Sequence, residues 1–247
     1  MKRTIVYYAP LLVIALIWEG VSRAGLVSTD ILPPLSTVIV SLIELVRDGE
    51  LPSNAFASLE RAGSGLALAI AFGGSLGILM AWSRGLNAII NPLVQIFYPV
   101  PKSALIPVTS IWLGFGDASK VLLVFLGCML PITIGAYNGA RSSDAVLVWS
   151  ARSMGSSRLG VLFDVVAPSA LPELLNGVRT ALALSFVLLV AGELISGRDG
   201  LGYLIGFYGA AGSYAPMYAV IVTVALLGFG FDRMYQMFTR RLLLWRE

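Results

Sequence analysis

The chain has 247 residues, of which 57% are hydrophobic and 13% charged, with a formal net charge of +3 and a mean hydropathy of +0.84. A soluble domain carries about 25% charged residues, so this composition excludes a water-facing globular surface and points to lipid as the solvent. A single cysteine and no histidine exclude an internal disulfide framework, a Cys/His zinc site and histidine acid–base chemistry, and the scattered basic residues exclude a nucleic-acid footprint.

A crossing helix needs roughly 20 residues, and the chain reads as an all-α integral membrane protein with about six of them. The first spans Thr4 to Arg23, behind Lys2 and Arg3. A cleaved signal peptide is the competing reading, but Trp18-Glu19-Gly20-Val21 offers no small-x-small cleavage site. Next comes an amphipathic stretch, Ser36 to Val46, with Val38, Ile39, Leu42, Ile43 and Val46 on a helical period. Its length and flanking acids suit the membrane surface.

The second span covers Leu59 to Trp82 and contains Gly73 and Gly77, a GxxxG spacing that predicts close helix packing. The third, Leu86 to Val100, is broken by Pro92, Pro99 and Pro101, and apolar residues continue to Trp112. An irregular or re-entrant segment fits there if protein or a water-filled cavity covers it. The fourth (Lys120 to Tyr137, with Pro131), fifth (Leu174 to Ile195) and sixth (Pro216 to Phe238) complete the set. Cys128 reads as a small apolar packing residue, and Asp232 with Arg233 as a local ion pair.

With the N-terminus in the cytoplasm, Lys2, Arg3, Arg84, Arg141, Arg152, Arg158, Arg240, Arg241 and Arg246 all fall inside. Arg23, Arg47, Lys102 and Arg198 fall outside with most of the acids. Both termini are then cytoplasmic, with Trp245 as an interface anchor.

The polar stretch between the fourth and fifth spans is too long for a turn. Ser143 or Asp144 suits an N-cap, Leu147, Ala151 and Met154 share a face, and Gly155-Ser156-Ser157 supplies a turn. A second short helix presents Leu159, Leu162, Phe163 and Val166, with Pro168 and Pro172 expected to stop it. Two such helices around a glycine form a knob that docks in a partner's groove or lies on lipid headgroups.

This loop resembles the EAA loop of ATP-binding-cassette (ABC) importer permeases. Trp149-Ser150-Ala151 stands at the first triplet, Gly155 at the glycine and Val165-Val166-Ala167-Pro168 at the closing Ile-x-Leu-Pro, with every spacing kept. The usual glutamate is Trp149 and the usual leucine is Ala167. Ile31-Leu32-Pro33-Pro34-Leu35, Pro99 to Pro107, Ile111-Trp112-Leu113-Gly114-Phe115-Gly116, Gly192-Glu193-Leu194-Ile195 and Gly200 to Ile205 are similar to the nitrate/sulfonate/taurine-type subgroup.

The resemblance implies a type I importer core with the MetI-like fold, in a bacterial inner membrane. It divides the chain into an N-terminal helix (1–29), a periplasmic-side interfacial segment (30–52) and a five-helix core (53–247) that holds the coupling loop (144–172). It implies two ABC ATPase subunits, a second permease copy or a paralogue, a periplasmic solute-binding protein and surrounding lipid as partners. ATP and Mg are expected on the ATPase. The chain has no Gly-x4-Gly-Lys-Ser/Thr loop, so it is expected to be no enzyme and to bind no cofactor or metal itself. The subgroup's solutes are small anions such as nitrate, sulfonates and bicarbonate, and also vitamin precursors and aromatic acids.

Coupling to the ATPase is thereby expected of Trp149, Ser150, Ala151, Met154, Gly155, Ser156, Arg158, Leu159 and Pro168. Lys102, beyond two prolines, could attract an anion or snorkel to the interface. Glu193 is expected near an outer gate, or simply facing water. Gln95, Tyr98, Thr133 and Ser185 are polar residues within spans, fit to line a pathway or to bond neighbouring helices. A secondary transporter or channel, and an intramembrane enzyme, are the other function classes. Span centres nearly free of ionisable groups, and the lack of paired acids in a span, disfavour both.

Overall fold

The computed structural model describes the backbone of residues 2–244 and the side chains of residues 9–244. The side chains of Lys2 and Arg3, and the whole of Trp245 and Arg246, lie outside the described residues. Every regular element in the described chain is helical: α1 Lys2–Arg23, α2 Leu35–Arg47, α3 Glu50–Trp82, α4 Arg84–Phe97, α5 Leu105–Leu113, α6 Asp117–Arg141, α7 Ala145–Ser153, α8 Arg158–Val161, α9 Ala167–Ser196, α10 Leu201–Ala210 and α11 Tyr214–Leu242.

Among the described residues, four helices are long and apolar enough to cross a bilayer: Glu50–Trp82, Asp117–Arg141, the continuous run Arg158–Ser196, and Tyr214–Leu242. These contain the second, fourth, fifth and sixth expected spans. The first expected span is the 22-residue α1. The third does not cross as one helix. α4 has only 14 residues, about 21 Å at 1.5 Å per residue, against a hydrocarbon core of about 30 Å. Pro99 and Pro101 force the chain out of helical geometry, and it resumes as a 3₁₀ turn, Lys102–Ala104, and then α5.

The centre is built from α3, α6 and α9, whose backbones lie close because glycines face one another's carbonyls. A methyl group at Gly73 would sit 2.9 Å from the Met129 oxygen, one at Gly139 2.6 Å from the Ala170 oxygen, and one at Gly177 2.6 Å from the Pro131 oxygen. At Gly77 it would overlap the Thr133 carbonyl. Lipid tails are as apolar as the side chains, so burying grease gives little drive to helix association; close van der Waals approach supplies it. The GxxxG of the sequence is thus a contact surface. Ala69, Val124, Cys128, Ile132, Ala181 and Leu189 fill the remaining core, and Cys128 is fully buried.

The amphipathic segment forms α2 as expected, but only one of its apolar stripes is covered. Val38, Leu42 and Leu45 pack in a cluster with Leu51, Leu201, Leu204 and Val220, while Ile39, Ile43 and Val46 stay exposed. The Ile31–Leu35 segment is strapped to α1: Trp18 Nε1 donates to the Pro33 oxygen at 3.0 Å and Ser22 Oγ to the Leu32 oxygen at 2.7 Å.

Pro168 and Pro172 do not end the second loop helix. A π turn, Leu162–Val166, joins α8 to α9, and Pro168 falls in the first turn of α9. A π turn shifts the hydrogen-bond register by one residue, which brings the proline to a position where a missing N–H costs least.

Gly77→Ala should lower the thermal unfolding temperature of the detergent-purified protein, in line with about 1–3 kcal/mol for overpacking. Gly85→Ala, where a methyl group meets nothing, should leave it unchanged. Equal unfolding temperatures for the two variants would contradict the packing account.

Candidate functional site

Three features have functional geometry: a buried charge cluster at one end of the bundle, a mainly apolar cavity beside α4 that carries a few polar groups, and a knob at the opposite end.

The cluster is built around Arg61 of α3 and Glu193 of α9, 6% and 1% exposed. Arg61 Nη1 donates to Glu193 Oε1 at 2.8 Å, its Nε to Asp117 Oδ1 at 2.6 Å and its Nη2 to Asp199 Oδ1 at 2.5 Å. The Ser58 hydroxyl donates to the Glu193 carboxylate at 2.8 Å and accepts the Leu201 N–H at 2.9 Å. Glu193 Oε2 accepts the Gly202 N–H at 3.0 Å, and Asn54 Oδ1 the Gly200 N–H at 2.6 Å. The first N–H groups of α10, which have no partner inside their own helix, are therefore satisfied by α3 and α9. Gly200 has φ +103°, and a Cβ there would collide with the Glu193 carboxylate; only glycine fits both the backbone and the space.

Lys120 of α6 is also buried, its ammonium donating to the carbonyls of Phe115 at 2.6 Å and Ser196 at 2.7 Å. The start of α6 is thereby tied to the end of α9. Tyr208 of α10, a helix too short to cross, donates to Glu50 Oε2 at 2.7 Å. Burial, and then the Glu50 carboxylate, push its phenol up to about 12, so it remains a neutral donor.

The cavity has about 320 Å³ and is lined by Met80 of α3, by Asn91, Val94 and Gln95 of α4 with Tyr98 just after it, and by Thr133, Ile134, Tyr137 and Asn138 of α6. Asn87, Asn91 and Gln95 recur every fourth residue and so share one face of α4. The Asn87 carboxamide oxygen is buried without a hydrogen-bond partner among the described residues. The lining is mainly apolar, with amide, phenol and hydroxyl groups set into it and no ionised side chain among its residues.

At the other end, Asp144 caps α7 by accepting the Val146 N–H at 2.8 Å, and Ser157 caps α8 by accepting the Gly160 N–H at 3.0 Å. Between them Gly155 takes φ +87°, the left-handed conformation that ends a helix. Ala151, Val161, Leu162 and Val166 face inward onto Ile78, Ala81 and Trp82 of α3, and Arg158 lies over the Trp82 ring at 5.6 Å. This buried face fixes the knob. Its other face carries Trp149, Met154, Leu159 and Phe163, each about two-thirds or more exposed (67, 78, 64 and 68%).

Of the residues singled out from the sequence, Gln95, Tyr98 and Thr133 meet in the cavity. Lys102 does not line it; its ammonium donates to the carbonyls of Phe97, Tyr98 and Val100 at 2.7–3.0 Å, capping the negative end of α4. Ser185 is fully buried and bonded to the Leu182 carbonyl at 2.7 Å. Glu193 lies in the buried cluster, not in water. On the knob Ser150, Met154, Gly155, Ser156, Arg158, Leu159 and Pro168 are exposed with Trp149, and Ala151 is buried. Asp232 does ion-pair, with Arg179 of α9 at 2.8 Å.

Sequence reasoning missed Ser58, Arg61, Asp117, Lys120 and Asp199, and the amides Asn87 and Asn91. An arginine just inside an apolar span is itself a signal that a buried partner exists, and the four-residue repeat of α4 amides was legible as a face. The pairing of Arg61 with Glu193, 132 residues apart, has no local signature.

A family model described as "binding-protein-dependent transport system inner membrane component" matches residues 73–244. The taurine transport system permease protein TauC of Escherichia coli (strain K12) is 34% identical over 95% of this chain and 87% of that protein. The putative aliphatic sulfonates transport permease protein SsuC of Bacillus subtilis (strain 168) is 33% identical over 95% of this chain and 85% of that protein. In fold, the chain is similar to one in the inward-facing MetNI methionine ABC transporter, with a TM-score of 0.61 at 20% identity, covering 77% of this chain and 97% of that one.

Arg61→Met should destabilise the purified subunit by about 3–5 kcal/mol, because Glu193 is left buried without its counter-charge. Arg61→Met with Glu193→Met should recover part of that loss. The readout is a double-mutant cycle on thermal unfolding, and a neutral Arg61→Met would refute the account.

Proposed function

The chain belongs to the family of binding-protein-dependent transport system inner membrane components and is the permease subunit of an ATP-binding-cassette importer; from that premise we propose which of its residues couple, gate and conduct. ATP hydrolysis belongs to a separate subunit, and the chain is a multi-pass protein of the inner membrane.

The coupling surface is the exposed apolar face around Gly155: Trp149, Met154, Leu159 and Phe163, rimmed by Ser150, Ser156 and Arg158. The observation that carries this reading is a face of large apolar side chains held outward by a buried opposite face. Such a knob fills a groove in a soluble partner and passes on its movement. Because Arg158–Ser196 is one continuous helix of 39 residues, displacement at the knob reaches Glu193 without an intervening hinge loop. The Arg61–Glu193 cluster acts as the outer gate's fixed joint, moving α10 with α9. Two ATPase subunits, a second permease chain and a periplasmic binding protein complete the assembly, and both termini face the cytoplasm.

The solute is a small organic sulfonate or a similar oxyanion. Relatives named for taurine and aliphatic sulfonates support this, as does a cavity that sets a few amide and hydroxyl donors in an apolar wall with no fixed positive charge among its lining residues. Gln95, Tyr98 and Thr133, joined by Asn91 and Tyr137, form this wall of the pathway. Lys102, Ser185 and Glu193 act from outside it.

A β-branched residue at the positive φ of Gly155 is strained by about 1–3 kcal/mol. In proteoliposomes with the ATPase and binding protein, Gly155→Val should cut taurine uptake by about tenfold or more, the equivalent of ~1.4 kcal/mol lost from coupling, with membrane insertion unchanged. Normal uptake would sink the coupling assignment. Ser157→Cys should react with a membrane-impermeant maleimide in inverted vesicles and not in intact cells. The reverse pattern would overturn the orientation.

A further inference from the structure

The end of α11 leaves an unfilled groove against α9. It has about 490 Å³ and is lined only by residues of α9 and of α11 with the residue after it, among them Asn176, Arg179, Gln236 and Arg240, with Leu175 and Leu243 on the apolar side. In α11 only Ala219 and Val220 are buried, so this half of the helix stands at the outside of the bundle. The groove shares no lining residue with the cavity beside α4 and is a separate feature of the fold.

The polar groups are arranged for an anion. Arg179 engages Asp232 through Nε at 2.8 Å and Nη2 at 3.2 Å, and its Nη1 has no acceptor among the described residues. Gln236 is drawn to the same carboxylate at 2.5 Å, so Asp232 is occupied on both oxygens and its charge is matched by Arg179. Arg240, which makes no ion pair among the described residues, then contributes a second positive charge to the groove wall. The Tyr235 hydroxyl is committed to the Leu175 carbonyl and that of Thr239 to the Tyr235 carbonyl; they brace the groove and do not compete for the ligand. Flanking the polar groups, Met234, Met237 and Phe238 are exposed, an apolar surface suited to acyl chains.

A basic pocket between transmembrane helices, at the depth where a span ends in arginines and on the cytoplasmic side, matches a phospholipid headgroup. We propose that the α9–α11 groove binds the phosphate of an anionic phospholipid through Arg179 and Arg240, with its acyl chains along the outer face of α11. The side of the membrane rests on the orientation given above. Binding itself does not, so failure of the maleimide test and failure of this proposal are separate results.

The test is native mass spectrometry of the detergent-purified chain with phosphatidylglycerol or phosphatidylethanolamine of matched acyl chains. Phosphatidylglycerol should be retained preferentially. Arg240→Gln and Arg179→Gln should each reduce its retention by about fivefold, the equivalent of ~1 kcal/mol per arginine. Arg240 holds no structural ion pair among the described residues, so its variant tests the site even if loss of the Arg179–Asp232 pair unsettles the fold. Equal retention of the two lipids, or unchanged retention in Arg240→Gln, overturns the proposal. Displacement of phosphatidylglycerol by an excess of inorganic phosphate would instead assign the groove to a free anion and overturn the lipid reading.

Discussion

An ionised side chain inside a membrane protein has to bring its own solvent, and Arg61 does so with three carboxylates. Glu193 supplies the buried counter-charge, while Asp117 and Asp199 reach the guanidinium from the more open side. Among the described residues no buried side-chain nitrogen or oxygen of the cluster is left without a partner, and the backbone N–H groups that open α10 are drawn into the same network. Removing water makes each of these bonds matter more and makes an unmatched one costly. The ends of α3, α6 and α9 that meet at the cluster are therefore fixed relative to one another by charge, whereas their middles are fixed by glycine-to-carbonyl contact.

These two kinds of contact divide the labour of the fold. Glycine faces carry no directional preference beyond shape and hold helices at a set distance. The ionic cluster sets which helix ends meet and at what angle. The knob adds a third kind, apolar burial on one face only, against Ile78, Ala81 and Trp82. The run from Arg158 to Ser196 passes through all three zones, as does α3 from Ser58 to Trp82, and the former carries the knob itself, so an event at the knob is mechanically joined to the charge cluster. The π turn beneath Pro168 lets that element continue unbroken.

What the sequence revealed follows from how local each signal is. Helix existence was legible because the apolar runs are long, and α2 because its period is 3.6. The knob was legible from Asp144, Gly155 and Ser157, each of which acts within four residues of itself. Where the sequence misled, a distant or compensating contact decided. Pro168 reads as a stop unless the register shift before it is known. Lys102 reads as a pathway cation or a snorkelling one, yet the carbonyls at the end of α4 claim it. Glu193 reads either as a gate residue or as an acid facing water, and its enclosure by Arg61, Ser58 and Gly202 excludes only the second. The cavity was half legible: Gln95, Tyr98 and Thr133 were recognised as polar residues in spans, but their convergence depends on how α4 leans on α6.

The spacing of the central ion pair also constrains how the protein is made. Arg61 precedes Glu193 by 132 residues and Asp117 by 56. At about 5–20 residues per second of synthesis, the buried partner emerges roughly 7–26 s after the arginine does. Over that interval the nascent α3 carries a charge that the finished protein never leaves unmatched, with only the exposed Asp117 arriving in time to receive it. Biogenesis thus passes through a stage in which the translocation machinery or the headgroup layer must host this guanidinium, and any slowing of translation between the two codons prolongs that exposure.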